Sequence, residues 1–251
     1  MINELLSKNH AKILSSLHLK KFRQKYQLFV VEGEKSVGEL ITSAPELIKE
    51  LIVRKGEILD YTKFGDFNTF QADENQMAQI STMSTPPGII AVCKSNSYMS
   101  TKEPDSSDFV LYLDDVRDPG NAGTIIRTAE WFGFRKIFFS PASIDLFHPR
   151  LIQATMGSFF RIFCREMDDQ SMTDLPRPWI GATLDGQSLA EFTFPKVGTL
   201  FVGNESNGMR RELIDKLDFS VRIDASANNH AESLNVGMAT AILMYEISKG
   251  K

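Results

Sequence analysis

The residues able to do chemistry in this 251-residue chain gather in three stretches. "DDVRDPGNAGTIIRTAEWFG", Asp114 to Gly133, follows the apolar run "FVLYL" and carries Asn121 and Arg127. "LFVGNESNGM", Leu200 to Met209, sets Gly203, Asn204 and Glu205 behind another apolar run. "RIDASANNHAESLNVGMATAILMYE", Arg222 to Glu246, places Ile223, Ser233, Leu234 and Asn235 ahead of an apolar helix pattern. Each stretch has a bland use, as a chain reversal, a helix-start acid or a cap. Together they concentrate side-chain amides, a carboxylate and a guanidinium, which is the pattern of a site for a polar ligand. Glycine turns at Gly203 and Gly208 let main-chain groups approach a flat heterocycle closely, which suits an adenine.

Arg127 sharpens this reading. At about 3.6 residues per turn, Ala122, Ile125, Ile126, Ala129 and Gly133 share one helix face, while Thr124, Arg127 and Trp131 fall opposite. A solvated surface helix carries Lys and Glu at such positions rather than an arginine and a tryptophan. Other chemistries lack their signatures. No G-x-G-x-x-G follows the first strand of the second half, no P-loop occurs, and no Ser-His-Asp set is evident. The four histidines form no ligand cluster, so no metal is expected. Cys93 and Cys164 lie far apart and read as reduced thiols of a cytoplasmic protein.

The elements that must position these residues follow from periodicity. Before residue 95, a helix over 3–16 precedes strand "LFVVEG", a helix over 34–42, strands "KELIVRK" and "TFQAD", a helix opened by an Asp73/Gln76 capping box, and strand "GIIAVCK". The Ser-rich polar segment "KSNSYMSTKEPDSSD" reads as a linker, giving domains over 1–95 and 109–251 with a linker over 96–108. The second domain alternates strands "FVLYLDD", "KIFFS", "RIFCR", "WIGATL", "GTLFVGN" and "FSVRID" with helices over 124–132, 150–158, 209–217 and 233–248. Such alternation predicts an α/β fold with a mostly parallel sheet, whose ligands bind beyond the carboxyl ends of the strands. All three stretches lie at such ends, and so does Thr183 with Leu184 at the end of "WIGATL".

Net charge is −4, which argues against a generally basic nucleic-acid binder, but residues 1–25 hold six basic groups against one acid. That local excess is either a solvated face or a phosphate-contacting surface. No run of about 18 apolar residues exists, so no membrane span is expected. The start "MINELLSKNHAK" has no apolar signal region.

"DPGNAGTIIRTAEWFG", "FVGNESNGM" and "AESLNVGMATAILMYE" resemble, in order, the three motifs of the SpoU class of SPOUT methyltransferases, which move methyl from S-adenosylmethionine to a ribose 2′-hydroxyl of RNA. The first 95 residues resemble that family's small ribosomal-protein-like RNA-binding domain, through "FVVEGEKSVGEL". The resemblance implies a trefoil knot in the C-terminal domain, a homodimer, S-adenosylmethionine as cofactor, and ribosomal or transfer RNA as substrate. It implies catalytic roles for Arg127, Asn121, Glu205, Ser233 and Asn235. It places the cofactor on Thr183, Leu184, Gly203, Asn204, Ile223 and Leu234. Glu205 is expected either to pair with Arg127 or to position the ribose. The apolar final helix and the outward Trp131 both call for cover; a second subunit would supply it for both, and knot packing alone would supply it for the helix. The chain departs from the family at Asp224–Ala231, where "DASANNHA" replaces a shorter loop containing Pro and Gly. Base methylation on the same fold, and RNA binding without catalysis, are the rival readings.

Overall fold

The computed structural model describes residues 4–57, 67–99, 103, 109–228 and 230–250. The chain divides into two units, 1–102 with 147–160 and 103–146 with 161–251.

The first unit opens with strand β1 (Glu4–Leu5) and helix α1 (Lys8–Ser16). The helix expected from residue 3 therefore starts later, because the Ser7 hydroxyl accepts from the His10 N–H at 3.2 Å and caps it there. Helix α2 (Lys20–Tyr26) follows, which periodicity missed because it is only two turns long. Next come β2 (Leu28–Glu32), α3 (Glu34–Ser43), β3 (Ile48–Arg54) and β4 (Thr69–Ala72). Helix α4 (Glu74–Ile80), β5 (Ile89–Lys94) and α5 (Ser95–Met99) complete this run. Asp73 and Gln76 form the expected reciprocal capping box. The sheet has the order β1-β4-β3-β5-β2, with β5 antiparallel to both neighbours. Leu14, Leu17, Val30, Ile52, Met77, Ile80 and Ile90 fill one core beneath α1 and α4.

The expected linker begins as helix α5; residues 100–102 and 104–108 lie outside the described residues. Tyr98 of α5 is buried and stacks on Phe159, with ring centroids 4.5 Å apart. Helix α7 (Pro149–Ala154) packs on β2, and Phe147 meets Phe29. Residues 147–160, grouped by sequence with the second domain, thus bury their apolar side chains in this unit.

The second unit is one six-stranded sheet, every pair of which is parallel. Its strands are β6 (Val110–Leu113), β7 (Lys136–Phe139), β8 (Phe163–Glu166), β9 (Trp179–Ser188), β10 (Thr199–Val202) and β11 (Phe219–Arg222). The order is β11-β9-β10-β6-β7-β8. From β6 the chain builds outward through β7 to β8, then fills the other side of β6. The order therefore reverses between β6 and β10, where open α/β sheets leave a crevice beyond the strand ends. Helix α6 (Pro119–Trp131) connects β6 to β7, α8 (Arg211–Ile214) is a short turn before β11, and α9 (Val236–Ser248) closes the chain against α6.

Three of the boundaries that differ from expectation bear on the site. Helix α6 begins at Pro119, so Pro119-Gly120-Asn121 is its first turn rather than a loop before it. Asp118 caps it through the Asn121 N–H at 2.8 Å, and proline at the first helical position costs no hydrogen bond. Helix α9 begins at Val236 rather than Ser233, and of Ser233 and Asn235, both expected to cap it, Asn235 does so. Strand β9 continues to Ser188. Gly181 pairs with Ser220 of β11 and Gln187 pairs with the next residue, Val221, so residues 182–186 bulge out of register.

Candidate active site

The switch point between β6 and β10 assembles the three stretches. Asn121 lies in the first turn of α6, Glu205 in the loop after β10, and Asn235 at the start of α9. The Asn121 side-chain amide N–H donates to the Glu205 carboxylate, and its amide oxygen accepts from Asn235 Nδ2 at 2.9 Å. Asn235 Oδ1 in turn accepts from the Gly237 and Met238 N–H groups at 3.0 and 3.3 Å. One chain of side chains thus joins residues far apart in sequence and fixes each by its neighbours.

Arg127 stands on the exposed face of α6, opposite buried Ala122, Ile125, Ile126 and Ala129. Glu205 takes its hydrogen bond from Asn121, and among the described residues no ion pair joins it to Arg127. The guanidinium is therefore available to a ligand. Ser233 is exposed and stands two residues before Asn235, the residue that caps α9.

The loop after β10 is built for close main-chain approach. A Cβ on Gly203 would lie 2.3 Å from the Gly208 carbonyl carbon, so only glycine fits. Asn204 bridges to Gly208 main chain to main chain, its Oδ1 accepts from the Ser206 N–H at 2.9 Å, and its Nδ2 donates to the Asp115 carbonyl at 3.0 Å. Asn204 thereby ties the first motif to the second. Thr183 and Leu184 lie in the bulge of β9. The Thr183 hydroxyl oxygen is buried with no hydrogen-bond partner, although Leu184 beside it is 77% exposed. An orphaned buried hydroxyl next to an uncovered leucine fits a ligand with both polar and apolar parts. Ile223 is half-buried one residue past β11, and Leu234 is exposed one residue before the α9 cap. Asp224 opens the divergent loop and is held by Ser188 and by Arg222 at 3.1 Å; these bonds keep its carboxyl below the usual range.

Sequence reasoning missed one network. Asp114, fully buried at the end of β6, accepts from the Arg210 main-chain N–H at 2.9 Å and from its Nε at 2.8 Å. The other guanidinium nitrogens reach Asp169 at 2.9 Å each. Arg210 so clamps the carboxyl ends of β6 and β10 to the loop after β8. The signal was present, since a carboxylate directly ending an apolar strand needs a partner.

The fold and site define a doubly wound α/β protein with a ligand crevice at its switch point. Residues 108–245 match the SpoU rRNA Methylase family, and residues 8–91 match the MRM3-like substrate binding domain. The chain belongs to the SpoU rRNA methylase family. It is 30% identical over 236 residues, 92% of each chain, to the 23S rRNA (guanosine(2553)-2′-O)-methyltransferase RlmP of Bacillus subtilis. A putative RNA methyltransferase of the TrmH family from Porphyromonas gingivalis superposes with a TM-score of 0.82 at 33% identity, over 98% of this chain and 100% of that one. The AdoMet-bound rRNA methyltransferase from Sinorhizobium meliloti superposes with a TM-score of 0.84 at 25% identity, over 99% and 98%.

Proposed function

We propose that this protein transfers a methyl group from S-adenosylmethionine to a ribose 2′-hydroxyl of ribosomal RNA. The observation that carries this reading is the Glu205–Asn121–Asn235 chain, which draws the three motifs together at the strand ends with Arg127 exposed on the same helix as Asn121. The residues present fit the cofactor. Gly203 and Asn204 offer main chain, Thr183 an unpartnered hydroxyl, and Leu184, Ile223 and Leu234 apolar cover. When bound, S-adenosylmethionine supplies an electrophilic methyl on a sulfonium, a good leaving group.

The protein's task is then the acceptor, because a ribose hydroxyl is a weak acid. Arg127 holds an RNA phosphate and the ribose, and its permanent charge favours the developing alkoxide. Asn121 and Glu205 orient the ribose, each locked by the hydrogen bond between them. Asn235 fixes Asn121 from the other side, and Ser233 meets the ligand from the segment before α9. Cytoplasmic residence belongs to this reading, as does a trefoil knot where the chain returns from β11, at the sheet edge, to α9 against α6.

The working form is a homodimer joined through α6 and α9. Trp131 is 85% exposed, and Met238, Ile242 and Tyr245 leave an apolar stripe on α9, each about one turn from the next. Met244, on the same apolar helix, is fully buried within its own chain and takes no part. Tyr245→Glu places a charge on that stripe and converts the dimer to a monomer in light scattering, with loss of activity. A monomeric wild-type chain removes this assignment.

The decisive experiment maps 2′-O-methylation across all stable RNA with and without the gene. One ribosomal ribose loses its methyl in the deletion strain. Loss of a base methyl instead supports the base-methylating reading. RNA binding with no methylation change anywhere supports a binder without catalysis.

A further inference from the structure

The charge of the first unit is divided by position. Up to Val31 the sequence has six basic residues and one acid, Glu4, whereas the rest of the unit, 32–102 with 147–160, has ten acids and eight basic residues. The structure gathers the basic third onto α1 and α2. Lys8, Lys12, Lys20, Lys21 and Lys25 are all exposed, and among the described residues none pairs with a carboxylate. Asp73 and Glu74 open α4, which packs on α1, and Glu50 beneath α1 is taken by His10 at 2.7 Å.

The helices themselves do not account for this placement. Lys8 with Lys12 and Lys21 with Lys25 are like charges one turn apart, which weakens a helix. Lys8, Lys20 and Lys21 stand in first turns, where the helix dipole opposes a cation. A solvated face would interleave Glu. The backbone beneath is nevertheless firmly held. Arg23, 3% exposed, donates to the Leu17 and His18 carbonyls at 2.7 and 2.9 Å, and His18 is fixed to the Ile80 carbonyl at 2.7 Å. On α2, Phe22 and Tyr26 stack with centroids 6.2 Å apart, and the Lys21 and Lys25 ammonium groups lie over them at 4.9 and 5.3 Å. The lysines of α2 are thus displayed on a stiff platform.

We infer that the α1–α2 face is the surface on which this unit takes the sugar-phosphate backbone of RNA, with Lys20, Lys21 and Lys25 as its centre. The rest of the unit is slightly acidic by count, so the positive field is concentrated on this face and a polyanion is drawn to it. The identity of the RNA rests on the proposed function; the docking itself does not.

The test uses the full chain and unmodified 23S rRNA transcribed in vitro. Affinity is measured across a series of KCl concentrations for wild type and for Lys20→Gln/Lys21→Gln/Lys25→Gln. Each lost phosphate contact lowers the salt slope by about 0.7–0.9, so the triple variant loses about two to three. Its KM for RNA rises at least about tenfold, while kcat at saturating RNA and affinity for S-adenosylmethionine stay within about twofold, as expected for lost uniform binding. Lys35→Gln/Lys49→Gln/Lys55→Gln removes the same charge elsewhere in the unit and leaves the slope near wild type. An unchanged slope in the first variant, or an equal loss in the second, overturns the inference. Should the triple variant unfold, Lys21→Glu and Lys25→Glu alone must each lower the slope. Wild type that binds with this slope but transfers no methyl refutes the enzyme reading and leaves the docking face standing.

Discussion

The first unit displays its charge on the outside of two helices, whereas the second holds its polar groups at the ends of six parallel strands. On α1 and α2 no lysine pairs with a carboxylate among the described residues, and each is replaceable by another cation. At the switch point between β6 and β10, Asn121, Glu205 and Asn235 share hydrogen bonds, so no one of them keeps its position without the others. The first arrangement suits a long, repetitive ligand met through additive contacts. The second suits a single reacting group that must be held in one geometry. Binding and chemistry are therefore expected to separate under mutation.

The largest effect tests that separation. Arg127→Ala lowers kcat about 100- to 1000-fold, the usual loss when one preorganised charge-stabilising group is removed. Its stability stays within about 0.5 kcal/mol, because the side chain is exposed. Arg127→Lys fails nearly as badly, since an ammonium lacks the planar fork. Near-normal turnover of Arg127→Ala at saturating RNA removes the catalytic assignment, and a loss confined to KM moves Arg127 into the same class as the α2 lysines.

Next in size is the clamp behind the site. Arg210→Ala leaves the fully buried Asp114 carboxylate with only a main-chain partner, and stability in urea falls by about 3 kcal/mol. A change below about 1 kcal/mol shows that Arg210 does not hold the Asp114 carboxylate in place.

The coupling within the cluster comes third. Asn121→Ala and Asn235→Ala, measured for activity singly and together, are non-additive by about 0.5–3 kcal/mol, whereas Lys20→Gln and Lys25→Gln affect RNA binding additively. Additivity in the first cycle dissolves the contrast between the two units.

The smallest effect is Asp169→Ala, worth about 0–1 kcal/mol because that carboxylate is mostly exposed. The Arg210 hydrogen bonds hold its carboxyl below the usual carboxylate range. A group depressed in the folded state stabilises above its unfolded pKa, so this contribution is present at neutral pH and fades as pH falls through the lowered value. The difference in stability between wild type and Asp169→Ala therefore narrows in acid; a difference that widens there contradicts the pair.

By itself the sequence determined the strand runs, the three motifs at strand ends, and the outward direction of Arg127, because these depend on local periodicity and on short-range turn chemistry. It also determined the basic excess before Val31. Tertiary structure decided which of these residues meet. Asn121 finds Glu205 and Asn235 at separations of 84 and 114 residues, and Asp114 finds Arg210 at 96, distances over which no local pattern carries information. It decided that residues 182–186 leave the register of β9, since a bulge depends on the neighbouring strand and not on the strand's own propensity. It decided that Met244 is covered and Tyr245 half-exposed on a helix apolar almost all round, where periodicity cannot rank one face above another. It placed α2 against β2, because a seven-residue helix is stable only through the packing it finds.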